Sequence, residues 1–196
     1  MLAAPLLLLA PVSAAPQPAT EKVVLAGGCF WGMQAVFSDL RGVKSVVAGY
    51  SGGAAETAHY DIVSTGTTGH AESVQIEYDP AKITFGQLLS VYFLVAHDPT
   101  QLDRQGPDFG TQYRSAVFYT TDAQKRETES YISALEAQKS FDGKIVTQVV
   151  PLRAFYPAED YHQNYVAHNP DNPYVMYNDL PKLAALRHQF PSLVKS

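Results

Sequence analysis

The sequence predicts an α+β fold: a two-layer α/β sandwich with a mixed sheet and a long irregular C-terminal segment. Three observations point there. From Lys22 onward, short apolar or alternating runs of strand length interleave with segments of helical periodicity, which calls for helices packed on a sheet. Several strand candidates alternate cleanly between apolar and polar residues, so one sheet face should be wet and part of the pairing antiparallel. Hydrophobic residues make up 46% of the 196 residues and charged ones 17%, enough for one core and too apolar for a disordered chain.

Each element has its own signal. Val23, Val24 and Leu25 stop at Gly27-Gly28 and read as a buried strand entering a turn. Phe30, Met33, Phe37 and Leu40 then recur at helical spacing, so a helix should open near Cys29 and end at Gly42. Val43 to Gly49 is the second strand, followed by a Gly-, Ser- and Thr-rich loop from Tyr50 to Gly69. In the third strand Val74, Ile76 and Tyr78 face one way and Ser73, Gln75 and Glu77 the other, until Asp79-Pro80 breaks it. Thr84 can cap a helix carrying Phe85, Leu88, Leu89, Tyr92 and Val95. A polar loop spans His97 to Thr111, and Ala116 to Tyr119 is a strand. Thr121 and Gln124 suggest a capping box for a helix reaching about Gln138. Lys144 to Val150 alternates again. From Pro151 the chain is rich in Tyr, Pro, His and Asn and looks irregular, with a short helix at Lys182 to Gln189.

The formal charge of −5, with no run of Lys or Arg, argues against nucleic acid and anionic membrane surfaces as partners. The run Met1 to Val12 is too short to span a bilayer, and small residues follow at Ser13, Ala14 and Ala15. This is the pattern of a secretory signal, although no Lys or Arg precedes it. Residues 1–21 are therefore read as a signal-like segment with a short linker, and 22–196 as a single domain. The expected location is periplasmic or secreted, with no stable membrane association once the signal is removed. A cytoplasmic location follows if the segment is not a working signal. None of the six histidines forms a His-x-x-x-His pair, and Gly49 to Gly53 lacks the Lys-Ser/Thr ending of a phosphate loop. No metal or other cofactor is expected.

One cysteine excludes an internal disulfide. Cys29 follows a glycine turn and should stand in the first turn of a helix, where free N–H groups and the helix dipole favour a thiolate. Position alone leaves two readings open: an activated nucleophile, or a small buried hydrophobe beside two core aromatics, Phe30 and Trp31. A cysteine acyl-transferase or peptidase would need a His base near Cys29 with Asn or Asp behind it, and nothing in the sequence selects His70 or His162. A module that binds oxidised methionine without turnover would leave Cys29 inert. A thiol titration separates the last reading from the first.

Five segments in order, the last running unbroken from Arg104 to Ser115, resemble one family, the A-type peptide methionine sulfoxide reductases. They are Gly27-Gly28-Cys29-Phe30-Trp31-Gly32, Gly49-Tyr50-Ser51-Gly52-Gly53 with Tyr60 beyond it, Thr68-Gly69-His70-Ala71-Glu72, His97-Asp98-Pro99-Thr100, and Arg104-Gln105-Gly106-Pro107-Asp108-Phe109-Gly110-Thr111-Gln112-Tyr113-Arg114-Ser115. The match runs from about Val23 to Asn169. With it goes the expectation of a ferredoxin-like core.

The resemblance gives these residues roles that they do not carry alone. Cys29 attacks the sulfoxide sulfur. Glu72, otherwise an exposed carboxylate at a strand start, delivers a proton to the oxygen, provided an apolar site keeps it protonated. Tyr60 and Tyr113, two of 12 tyrosines, donate hydrogen bonds to the developing oxyanion. Phe30 and Trp31 form the pocket for the substrate methyl group. Asp108, otherwise a loop-turn acid, orients nearby N–H groups. The substrate is implied to be the S epimer of methionine sulfoxide, free or in peptides and proteins. Two departures stand out. Val175 occupies a place where a resolving cysteine is found in many relatives, so the sulfenic acid on Cys29 must be reduced by an external thiol: a thioredoxin-like or glutaredoxin-like protein, or a small thiol. Gln34 stands where relatives often carry Glu, and is expected on the helix surface.

Overall fold

The computed structural model describes residues 20–195. The signal-like run expected at Met1 to Ala15 lies outside them, as does most of the linker. Eight strands and six helices follow in chain order: β1 (Glu21–Ala26), α1 (Phe30–Ser38), β2 (Val43–Ser51), α2 (Tyr60–Val63), β3 (Ala71–Tyr78), α3 (Phe85–Val91), β4 (Arg104–Gln105), β5 (Asp108–Phe109), β6 (Ala116–Tyr119), α4 (Asp122–Ala137), β7 (Gln148–Pro151), β8 (Tyr156–Pro157), α5 (Tyr165–His168) and α6 (Leu180–Gln189).

The main sheet has the order β7-β6-β1-β3-β2-β8, antiparallel except for the parallel pair β6–β7. Its centre, β6-β1-β3-β2 with α1 and α3 as the two crossovers, is the ferredoxin-like arrangement, and the sheet is mixed as expected. Strand parity divides the core. Val23 and Leu25 of β1 and Val74, Ile76 and Tyr78 of β3 pack with α1 and α3 in the main cluster. Val24, Ala26, Ala71, Ala116 and Phe118 face the other way, under Val150, Leu152 and Phe155. The expectation of a wet second face is corrected here: the segment leading into β8 folds back over it, and Ser73 is fully buried, its hydroxyl returned to Ala71 O at 2.9 Å.

Other boundaries shift for local reasons. The ladder of β7 starts at Gln148 rather than Lys144, because its partner β6 starts only at Ala116. Thr84 and Gln87 close a full capping box on α3. At α4 the box is half made: Thr121 accepts from Gln124 N, but the Gln124 side chain turns to Thr120 N and Lys22 O instead. The polar loop after His97 contains the β4–β5 hairpin. The C-terminal segment is more helical than expected, with α5, a π-helical turn at Val175–Asp179 and α6, and it packs against α1. Among the described residues no helix is long and apolar enough to cross a membrane.

Candidate active site

The glycine turn between β1 and α1 sets the position of the thiol. Gly28 has φ +91°, and a Cβ there would lie 2.5 Å from Gln105 Cγ, so only glycine admits both the backbone turn and the hairpin that covers it. Cys29 is the N-cap of α1 rather than a residue of its first turn, and its side chain makes no capping bond. The residue keeps 8% of its surface exposed, and its thiol is buried.

Glu72 meets it from the adjacent strand. In β3 it shares parity with Val74 and Ile76, so its side chain enters the helix-covered face and is buried. The Phe30 N–H donates to Glu72 Oε2 at 3.0 Å, which fixes the carboxyl beside the opening turn of α1. Burial pushes the Glu72 carboxyl up to about 8, with the Phe30 bond acting against the shift and Asp108 adding to it. The group is therefore mainly a neutral acid at neutral pH.

The thiol departs from expectation. The helix terminus was expected to favour a thiolate. Instead burial, then the carboxylates of Glu72 and Asp179, hold Cys29 well above the ordinary thiol range, opposed by the nearby Trp31 backbone N–H, which does not close a capping bond to the sulfur. Glu72 contributes charge only once it has itself ionised; below that, burial and Asp179 remain. Desolvation outweighs the helix-end field because the sulfur lies in a nearly water-free pocket.

The remaining expected residues surround this pair. Phe30 is buried, 5.8 Å from the Tyr50 ring and 5.0 Å from the His162 ring. Trp31 stacks on Tyr165 at 3.7 Å, meets Tyr174 edge-on at 5.8 Å, and donates its indole N–H to His162 Nδ1 at 3.0 Å. Tyr60 opens α2, with its ring 4.3 Å from His162. Burial and the nearby charges of Glu72 and Cys29 push the Tyr60 hydroxyl up to about 12, and Tyr113 is raised by burial, Glu72 and Asp108. Both phenols stay protonated and able to donate. Asp108 accepts a short hydrogen bond from the Tyr174 hydroxyl, so in this state its partner is a side chain of the site rather than an N–H group.

Several contributors were not singled out in the sequence. Glu159 accepts from the Tyr50 hydroxyl at 2.8 Å and from Tyr60 N at 2.9 Å, anchoring the Tyr60 loop. His162 holds the indole of Trp31, and Tyr165 and Tyr174 frame it. Gln34 is a correction: it is not on the helix surface but 2% exposed, donating to Val46 O at 2.9 Å and Gln163 Oε1 at 3.0 Å and accepting from Asn164 N at 2.7 Å. A polar residue in the first turns of a largely apolar helix is the one available signal; Val46 lies 12 residues away, but Gln163 and Asn164 lie 129 and 130 residues away.

Neither candidate base of a cysteine acyl-transferase or peptidase is placed for that role. His70 is tied to Gly53 N and Ala54 O, and His162 Nδ1 is occupied by Trp31. Among the described residues no group of His, Cys, Asp or Glu is arranged to hold a metal ion.

Residues 21–193 match the family described as peptide methionine sulfoxide reductase. A relative named peptide methionine sulfoxide reductase MsrA 2, from Mesorhizobium japonicum, is 55% identical over 176 residues, 90% of each chain. The structure resembles that of reduced Mxr1 from Saccharomyces cerevisiae, with a TM-score of 0.72 and 34% identity over 79% of this chain and 88% of that one. It also resembles Mxr1 in complex with Trx2, with a TM-score of 0.52 and 26% identity over 78% of this chain and 90% of that one.

Proposed function

The chain belongs to the peptide methionine sulfoxide reductase family, and we propose that it reduces methionine S-sulfoxide to methionine, with Cys29 as nucleophile and Glu72 as proton donor. The observation that carries the residue assignment is the buried Glu72 carboxyl, fixed beside the opening turn of α1 by Phe30 N–H and neutral near pH 7. The substrate is free methionine sulfoxide or the oxidised side chain in peptides and proteins, so the activity is one of repair after oxidation.

A sulfoxide is neutral and polar, and its sulfur also carries an apolar methyl group. The site suits it at rest: a protonated thiol and a protonated carboxyl meet a neutral ligand without burying net charge. Phe30 and Trp31 receive the methyl group, and the hydrogen bond from Trp31 to His162 and its stacking on Tyr165 keep the indole in place. As the Cys29 sulfur bonds to the sulfoxide sulfur, negative charge grows on the oxygen. Tyr60 and Tyr113 donate to that oxygen, and Glu72 gives it a proton. The Cys29 thiol proton passes to the Glu72 carboxylate left behind; the sulfoxide S–O bond and the transient S–S bond then break as the protonated oxygen transfers to the Cys29 sulfur, so the thiol has become a sulfenic acid and the departing sulfoxide a thioether.

No second cysteine exists to resolve the sulfenic acid. Two external thiols complete the cycle: the first displaces water and forms a mixed disulfide, and the second releases Cys29 as a disulfide forms between them. The reductant is a thioredoxin-like protein, a reading supported by the relative solved with Trx2, with a glutaredoxin-like protein or a small thiol as the alternatives. Residues 1–21 are read as an export signal and linker, placing the mature protein in the periplasm or outside the cell.

The test is direct. The purified chain is incubated with each sulfoxide epimer of a blocked methionine and a dithiol, and the products are separated. The S epimer should be converted and the R epimer left. Cys29→Ser should abolish turnover; full turnover by that variant would exclude the mechanism.

A further inference from the structure

The opening turn of α1 is in contact with a buried charge pair from the opposite end of the chain. Asp179 closes the π-helical turn ahead of α6, and its side chain has no solvent exposure. Neither of its carboxylate oxygens has a hydrogen-bond partner. Its counter-charge is Lys182 Nζ at 3.8 Å, a distance at which the contact is an ion pair without a hydrogen bond. The pair sits on Gly32. A Cβ at that position would collide with Asp179 Oδ1 and lie 3.2 Å from Lys182 Nζ. Gly32 is three residues beyond Cys29, in the first turn that Cys29 caps. The bare backbone at position 32 is what lets a buried charge approach that turn.

A buried pair with unfilled hydrogen-bonding capacity adds little stability over apolar residues of the same volume. Its place calls for another use. The geometry points to Asp179 and Lys182 as positioning residues for Cys29: their field at the first turn of α1 controls how reactive the resting thiol is, an assignment that rests on Cys29 being the nucleophile.

The groups facing Cys29 can be ordered by their charge at neutral pH. Glu72 reaches it from β3, Asp108 from β5, and Asp179 with Lys182 from the C-terminal segment; the phenols Tyr60, Tyr113 and Tyr174 complete the surroundings. Burial pushes Asp179 up to about 6, with Lys182 opposing and Asp108 reinforcing the shift. Near pH 7 Asp179 is thus ionised while Glu72 is still mainly neutral. Of these two carboxyls, Asp179 is the one that carries charge while the cleft is empty. It keeps the proton on sulfur and protects the thiol from adventitious oxidants. Lys182 limits that effect; it also faces Asp108 and His97.

The experiment is the pH dependence of Cys29 alkylation by iodoacetamide in the substrate-free protein, for wild type, Asp179→Asn, Lys182→Met and Lys182→Arg. Asp179→Asn should move the midpoint down by about half to one pH unit, making alkylation roughly three- to tenfold faster near neutrality. Lys182→Met should move it up, and Lys182→Arg should restore the wild-type profile. Unmoved midpoints, or shifts of the same sign in the first two variants, would overturn the assignment and leave the pair a structural plug. Should Asp179→Asn fail to fold, the two Lys182 variants decide, since that side chain is partly exposed. Because the readout is thiol reactivity, it is independent of sulfoxide turnover: loss of the inference leaves the reductase reading standing, and loss of turnover alone leaves the inference testable.

Discussion

Replacing Glu72 by Gln should trade catalysis for stability, with a pH signature that identifies the cause. The Glu72 carboxyl is moved from its ordinary 4.5 to about 8 by burial. Its folded-state value is raised, so between those two values the unfolded chain has lost the proton while the folded chain keeps it. Folding then takes up a proton, and stability falls as pH rises through that window. The slope is about 1.4 kcal/mol per pH unit, so from about pH 5 to about pH 7.5 the burial of this one group should cost roughly 3 kcal/mol. Gln has the same shape and can still accept from Phe30 N, but it does not titrate. It leaves one extra buried N–H donor, a cost that does not vary with pH. Urea unfolding of wild type and Glu72→Gln at the two pH values isolates the effect, because every other titrating group is common to both and cancels. The variant should gain roughly 3 kcal/mol relative to wild type on going to the higher pH. Its reductive step should slow by about 10²- to 10⁴-fold in a single-turnover assay with substrate binding retained. A stability difference that does not change with pH would refute the buried neutral acid, and with it the proposed source of the proton.

Two further outcomes follow from the geometry. Gln34→Leu removes bonds to Val46 O, Gln163 Oε1 and Asn164 N from a buried site, and should cost roughly 2–4 kcal/mol in urea unfolding. Tyr60→Phe and Tyr113→Phe each remove one of the two hydroxyls proposed to donate to the oxyanion. Each should lower kcat/KM about tenfold and the double variant about 10²- to 10³-fold, with unchanged fold by circular dichroism; no loss in the double variant would exclude phenolic stabilisation.

What could be read from the sequence was local. The glycine turn, the helix opening at Cys29, the alternation of β3 and the strand at Ala116 to Tyr119 each depend on neighbours a few residues away. The position of Glu72 was within reach too: parity with Val74 and Ile76 puts it on the core face, and the residue reads as exposed only if it is taken in isolation. What stayed hidden depends on long-range contact. Gln34 meets Asn164, Trp31 meets His162 and Gly32 meets Asp179. A glycine in a helix signals that something comes close, but not what. The protonation of Cys29 was misread for a related reason. The helix-end field is local and visible in a sequence, whereas desolvation is a property of the assembled core.

That reversal bears on how the site works. A thiol held protonated in a nearly closed pocket reacts slowly with oxidants that arrive by diffusion, which suits a chain with no second cysteine to rescue it. The same burial makes Glu72 an acid. Desolvation acts on both groups in one direction, so the empty site holds two protons, and the sulfoxide is the ligand that uses them: the Glu72 proton ends on oxygen as charge develops there, while the thiol proton must leave for sulfur to bond and passes to the carboxylate that Glu72 has become. The field at the first turn of α1 therefore governs the step for which the buried pocket is least favourable, the loss of that second proton. An ionised Asp179 opposes it and Lys182 eases it, so the sign of the alkylation shift in the Asp179 and Lys182 variants reports directly on the balance between protecting the sulfur and using it.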